Sequence, residues 1–132
     1  MPVVDASVLV ELLADGEHAG VAEEQLFAEE HALWAPHLVD AEVGHALRRA
    51  VHLGGLDAEV AGEALWLLDE FPLRRISHEV LIHHAWALRD NVSFYDGLYV
   101  ALAEMLDEPL VTFDGRLARA GVTARVEVLA QP

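Results

Sequence analysis

The chain has 132 residues, a hydrophobic share of 54%, no cysteine and a formal net charge of −15, and all eight of its basic residues are arginine. That length supplies one domain with one core, and the apolar share lets so acidic a chain fold. Without cysteine, disulfides and thiolate zinc sites are excluded and a reducing cytosol fits, while the acidity excludes a basic nucleic-acid footprint and favours bound cations or a basic protein partner.

Taken in order, Val3-Val4 reads as a short buried strand ending at Asp5. No basic region precedes it and Asp5 interrupts the apolar run, so it makes a poor signal peptide. No apolar run approaches the ~20 residues of a spanning helix, so a cytoplasmic location is expected. Ala6 to Ala14 is predicted as a helix with Val8, Leu9, Leu12 and Leu13 on one side, broken at Asp15-Gly16. His18 to Ala28 forms a second, with Val21, Ala22, Leu26 and Phe27 inward and Glu23, Glu24, Glu29 and Glu30 outward. Leu33 to Ala35 is a strand before Pro36. His37 to Leu53 is a helix stopped by Gly54-Gly55, with Val39, Val43, Ala46, Leu47 and Ala50 on its apolar side.

Asp57 caps a helix running to Glu70, and Leu73 to Ile76 is a strand. Ser77 caps a helix to about Arg89. Ser93 caps the most apolar helix, with Asp96 three residues on at capping-box spacing. After it Leu98, Val100, Ala101, Leu102, Met105 and Leu106 leave little polar surface, so most of this helix is expected to be covered. Leu110 to Phe113 is a strand, Asp114 to Ala120 a short helix and Arg125 to Leu129 a last strand. Strands alternate with helices throughout. The expected fold is α/β: one domain over residues 1–132, with a mostly parallel sheet of 4–5 short strands and helices on both faces.

Asp5, Asp96 and Asp114 each open a helix, which is also where aspartate caps. In an open parallel sheet, however, strand ends share one edge, and ligands bind there at the switch in strand order. If Asp5 and Asp114 end adjacent strands, their carboxylates meet. Glu42 lies close to the apolar side of its own helix, within reach of Arg49 or His45 as an ion pair. Four acids so placed repel one another, and a hard divalent cation relieves that repulsion.

The motifs carry a resemblance. Val3-Val4-Asp5-Ala6-Ser7, the helical Glu42 within Pro36 to Val43, the long block Asn91 to Glu104 and the closing block Leu110 to Ala118 together resemble PIN domains, and among them the VapC-type toxins of toxin–antitoxin pairs. Order and spacing fit over essentially the whole chain. Gly97 departs, standing where alanine is commoner. So does the acidity, which is unexpected in an enzyme that cuts RNA. The resemblance implies an endoribonuclease dependent on Mg²⁺ or Mn²⁺, with Asp5, Glu42, Asp96 and Asp114 holding the metal and activated water attacking the phosphodiester. It also implies a homodimer and an antitoxin that brings a basic segment to the acids. Ser7 and Thr112 stand near two of the acids, able to orient a carboxylate or a water, or simply to sit as polar residues at a helix start and a strand end. Arg116 and Arg119 either meet substrate phosphate or line a solvated face.

Two other classes compete: a catalytically silent PIN-like binding module, and a phosphoacceptor signalling domain, whose characteristic lysine this chain lacks. His83-His84 point about 100° apart on a helix, a poor ligand pair. Trp34, Trp66 and Trp86 read as core or interface anchors. The helices from His18 to Glu70 carry more large apolar residues than one sheet covers, with Phe27, Trp66, Leu67 and Phe71 as candidates for a dimer interface.

Overall fold

The structure, a computed structural model, describes residues 1–14, 16, 19–26 and 32–129. Five strands, β1 (Val3–Val4), β2 (Leu33–Pro36), β3 (Leu73–Ile76), β4 (Leu110–Thr112) and β5 (Val126–Val128), form one parallel sheet in the order β3-β2-β1-β4-β5. Val3 faces both Trp34 and Leu110 in register, so the first strand lies at the centre. The helices are α1 (Ala6–Leu13), α2 (Ala19–Leu26), α3 (Leu38–His52), α4 (Ala58–Glu70), α5 (Ile82–Ala87) and α6 (Phe94–Leu106). Asp15, His18, Phe27, Ala28, Glu29 and Glu30 of the predicted α2 region lie outside the described residues.

The chain first travels from β1 outward through β2 to β3, then returns to build β4 and β5 on the other side of β1. Parallel crossovers are right-handed, so reversing direction moves the connecting helices to the opposite face. The helices accordingly fall into two groups, α1 with α2, α3 and α4, and α5 with α6, and α6 lies against β1, β2 and β4. Among the described residues no helix is long and apolar enough to cross a membrane.

The core runs through Val3, Val4, Val8, Leu9, Val39, Val43, Leu47 and the unbroken buried run Gly97 to Ala103. Covering of the central helix is thus as expected over its middle, while Met105 near its end is exposed. Gly97 has a local cause. A Cβ there would stand 3.2 Å from the Ala85 carbonyl oxygen, so its absence lets α6 approach α5 closely.

Two predicted helices are shorter than the sequence suggests. Ser77 to Arg89 splits into a 3-10 turn at His78–Val80 and the six-residue α5. The His78 ring is engaged elsewhere: its Nε2 accepts the Leu38 N–H at 2.8 Å, satisfying one orphan donor at the start of α3 that His37 leaves uncapped. Asp114 to Ala120 is only a 3-10 turn at Leu117–Arg119. There the Asp114 carboxylate takes the Arg116 N–H at 3.0 Å, a local bond that competes with helix formation. Phe113 falls just outside β4.

Large apolar side chains are exposed at several places, Leu53, Phe94, Tyr95 and Met105 among them, and two groups each include a tryptophan. On α4, Leu65, Trp66 and Leu67 are exposed, Trp66 at 77%. Trp66 lines a cavity of about 520 Å³ with Asp40, Leu65, Leu68, Asp69 and Arg75, none of them a predicted site acid. Elsewhere Val80, Ile82 and Trp86 are exposed, Trp86 at 58% beneath the Arg89 guanidinium. Phe71 is half-buried and packs on the core. Trp34 is half-buried below Arg74.

Candidate functional site

The switch in strand order falls between β1 and β4, and the first two acids follow those strands. Asp5 caps α1 by accepting the Ser7 N–H at 3.1 Å. The same oxygen, Oδ1, accepts the Ser7 hydroxyl at 2.6 Å, and Oδ2 accepts the hydroxyl of Thr112 on β4. Both hydroxyls are oriented by backbone donors: Ser7 Oγ accepts the Phe113 N–H at 3.1 Å, and Thr112 Oγ1 accepts the Asp114 N–H at 2.9 Å. With the oxygen lone pairs so used, each hydroxyl proton is free for Asp5. Ser7 and Thr112 therefore orient a carboxylate. Burial raises the Asp5 pKa, and the Ser7 and Thr112 bonds offset part of the rise.

Glu42 projects from the second turn of α3. Neither Arg49 nor His45 takes its carboxylate. Oε1 accepts the hydroxyl of Tyr99 at 2.5 Å. Burial raises the Glu42 pKa, the Tyr99 bond lowers it, and the charges of Asp96 and Asp5 push it up again. Asp96 sits in the first turn of α6, its N–H donated to Ser93 Oγ at 3.1 Å. The fold thus brings Asp5 and Asp96 close enough to Glu42 for their charges to act on it, from segments far apart in sequence.

Asp114 stands differently. Its strand does adjoin that of Asp5, and the Thr112 hydroxyl links the Asp5 carboxylate to the Asp114 N–H, but the Asp114 carboxylate has other partners. Asp114 instead receives Arg116 in a fork, Nε at 3.0 Å and the terminal nitrogen at 2.6 Å. That bond holds the Asp114 pKa down. Arg116, 79% exposed, also feels the charge of Asp96. Arg119 lies beside Gly115 and acts on Asp114 only through its charge. His84, on α5, pairs with Glu104 at 3.3 Å, away from the acids.

Among the described residues no three Asp, Glu or His side chains stand in metal-ligand arrangement. Asp114 is turned onto Arg116 and one oxygen of Glu42 onto Tyr99. The donor chemistry nevertheless fits a hard divalent cation: three carboxylates, of which Asp5 and Glu42 are desolvated by burial and Glu42 is also repelled by the other two. Tyr99 was not among the residues that the motifs singled out. Its signal was a phenol three residues beyond Asp96 on an otherwise aliphatic helix, where a buried hydroxyl needs an acceptor.

Comparison with known proteins shows the family and the fold. The PIN domain family model matches residues 3–122. Ribonuclease VapC1 of Mycobacterium tuberculosis is 50% identical over 119 residues, which is 89% of each chain. The crystal structure of Mycobacterium tuberculosis VapC20, a Sarcin-Ricin loop cleaving toxin, superposes with a TM-score of 0.71 at 20% identity, covering 93% of this chain and 97% of that one. VapBC2 from Rickettsia felis, crystallised with a promoter DNA fragment, has a chain that superposes with a TM-score of 0.70 at 15% identity, covering 97% and 98%.

Proposed function

This chain belongs to the PIN-domain family, and from that membership we propose that it is the endoribonuclease toxin of a toxin–antitoxin pair, acting with Mg²⁺ or Mn²⁺. The observation that carries the reading is the convergence of Asp5, Glu42 and Asp96 at the switch point of the sheet in a chain half identical to a ribonuclease. These three acids would hold the cation, with Asp114 joining when Arg116 releases it. When bound, the cation supplies a Lewis acid for the phosphate and lowers the pKa of water. Ser7 and Thr112 keep Asp5 oriented toward the site. Arg116, once off Asp114, is the guanidinium nearest to meet substrate phosphate.

At −15 the chain repels an RNA backbone, so bulk charge does not recruit the substrate. The same field draws in a basic peptide. Two hollows flank Trp66 on α4, one lined by Glu63 and Glu70 and the other by Asp69 and the Asp40–Arg75 pair, a mainly acidic surround that suits a basic amphipathic segment of the antitoxin, an arginine or lysine of which would reach the acids. Self-pairing there would oppose two acidic surrounds. Dimerisation is therefore assigned to the Ile82 and Trp86 side of α5.

The test is cleavage of total cellular RNA by the purified protein with Mn²⁺, with Mg²⁺ and with chelator. Cleavage is expected only with metal, and none from Asp96→Asn of native fold. Equal cleavage by Asp96→Asn, or in chelator, would overturn the assignment.

A further inference from the structure

Helix α6 presents two chemistries on one side. Asp96 and Tyr99 are three residues apart and share a face. Tyr99 is 2% exposed, among the largest fully buried side chains, and its hydroxyl reaches from α6 to Glu42 on α3 at 2.5 Å. A phenol has one proton to give. It is donated to a single acceptor, Oε1 of Glu42. Among the described residues no other hydrogen-bond donor reaches Glu42, whereas Asp5 has the Ser7 N–H, the Ser7 hydroxyl and the Thr112 hydroxyl.

We propose that Tyr99 is the positioning residue of the divalent-cation site: its hydroxyl fixes Oε1 of Glu42, sets the distance from α3 to the acids on β1 and α6, and leaves the second carboxylate oxygen for the cation. The proposal rests on the reading of Asp5, Glu42 and Asp96 as cation ligands. A phenol that merely filled the core would be needed for stability alone. A positioning phenol is needed for cation affinity, and only while Glu42 is present. Partners that orient a metal ligand typically contribute 10–100-fold in affinity.

The experiment is Mn²⁺ binding by calorimetry on the purified full chain, far below the melting temperature, for wild type, Tyr99→Phe, Glu42→Gln and the double variant. Tyr99→Phe is expected to weaken Mn²⁺ binding by about 10–100-fold with unchanged circular dichroism, and to add nothing once Glu42 is glutamine. Wild-type affinity in Tyr99→Phe, or a further equal loss in the double variant, overturns the proposal. Should Tyr99→Phe not fold, Glu42→Asp gives the second arm. It keeps the charge but draws the carboxylate back from the phenol, and is expected to lose at least tenfold in affinity (~10-fold by the same rule); unchanged affinity would overturn the positioning role. Wild-type protein that takes up no Mn²⁺ would overturn the cation reading itself and this proposal with it, an outcome distinct from a binding-competent wild type with an indifferent Tyr99→Phe.

Discussion

The hydroxyl of Thr112, fully buried at the end of β4, donates to the carboxylate of Asp5 at the end of β1 and so joins the two strands at the switch point by a side-chain bond. Thr112→Val keeps the shape and removes the donor. A buried carboxylate that loses a partner costs about 1–3 kcal/mol. Chemical denaturation should show a loss of that order, and Mn²⁺ affinity should fall with it. A variant as stable as wild type would show that the bond is incidental.

Asp5 and Glu42 make stability depend on pH in an unusual direction. Burial holds both carboxyls above their ordinary values, 3.8 and 4.5. The folded chain then binds protons more readily than the unfolded one. Their contribution is full below those ordinary values and is lost as pH rises through the folded ones. Asp5→Asn, which keeps a capping oxygen, should therefore melt higher than wild type at neutral pH without metal, the gain shrinking toward about pH 4. It should also fail to cleave RNA. Melting curves across pH with chelator decide it; a gain that grows on acidification would be the wrong sign.

Asp114 shows the ordinary behaviour. Its pKa is held down by Arg116, so its contribution is present above the ordinary 3.8 and is lost as pH falls through the depressed value. Arg116 is exposed, and the effect on stability is small. Function should respond more. Arg116→Ala frees Asp114 from its counter-ion, so Mn²⁺ binding without RNA should hold or tighten while cleavage at low RNA concentration falls. Weaker Mn²⁺ binding would make Arg116 a support of the acids instead of their competitor.

The two exposed apolar groups that include a tryptophan separate by substitution. Trp86→Asp should convert a dimer to monomer in light scattering at micromolar concentration and leave antitoxin binding intact. Trp66→Asp should leave the dimer and weaken the antitoxin complex. The reverse pattern would exchange the two surfaces, and wild type that scatters only as monomer would remove the dimer altogether.

Charge should set the kinetics of inhibition. Association of the cognate antitoxin is expected to slow steeply from low to high salt, and excess Mn²⁺ to compete with it. Changing the basic residue that reaches the acids to alanine should restore cleavage. Indifference to salt, to Mn²⁺ and to that change together would place the restraint elsewhere than the acidic site.

Much of this was legible in the sequence because local rules and global fold agree. Strands as short as Val3-Val4 could be read from their apolar runs and the acids that follow them. Asp5, Glu42 and Asp96 converge because three segments end at one sheet edge, which alternation of strand and helix already implies. What escaped was set by single tertiary bonds. The break after Ser77 depends on the His78 ring serving α3, and the fate of Asp114 on a fork from Arg116 two residues on. Tyr99 drew no reading of its own because a phenol among aliphatic residues packs like one of them, and only its acceptor reveals its other end.

The central position of the first strand has a consequence for synthesis. Asp5 and the hydroxyl that holds it are 107 residues apart, so the sheet's seam closes only after the second half of the chain is made. A ribosome delivers the N-terminal end first, and pairing over such separations is slow to form. A half-made chain carries Asp5 and Glu42 but neither β4 nor α6 to gather them. The acid site thus assembles only once Thr112 has followed Asp5 out of the ribosome, which gives a partner already present the whole of that interval to be waiting.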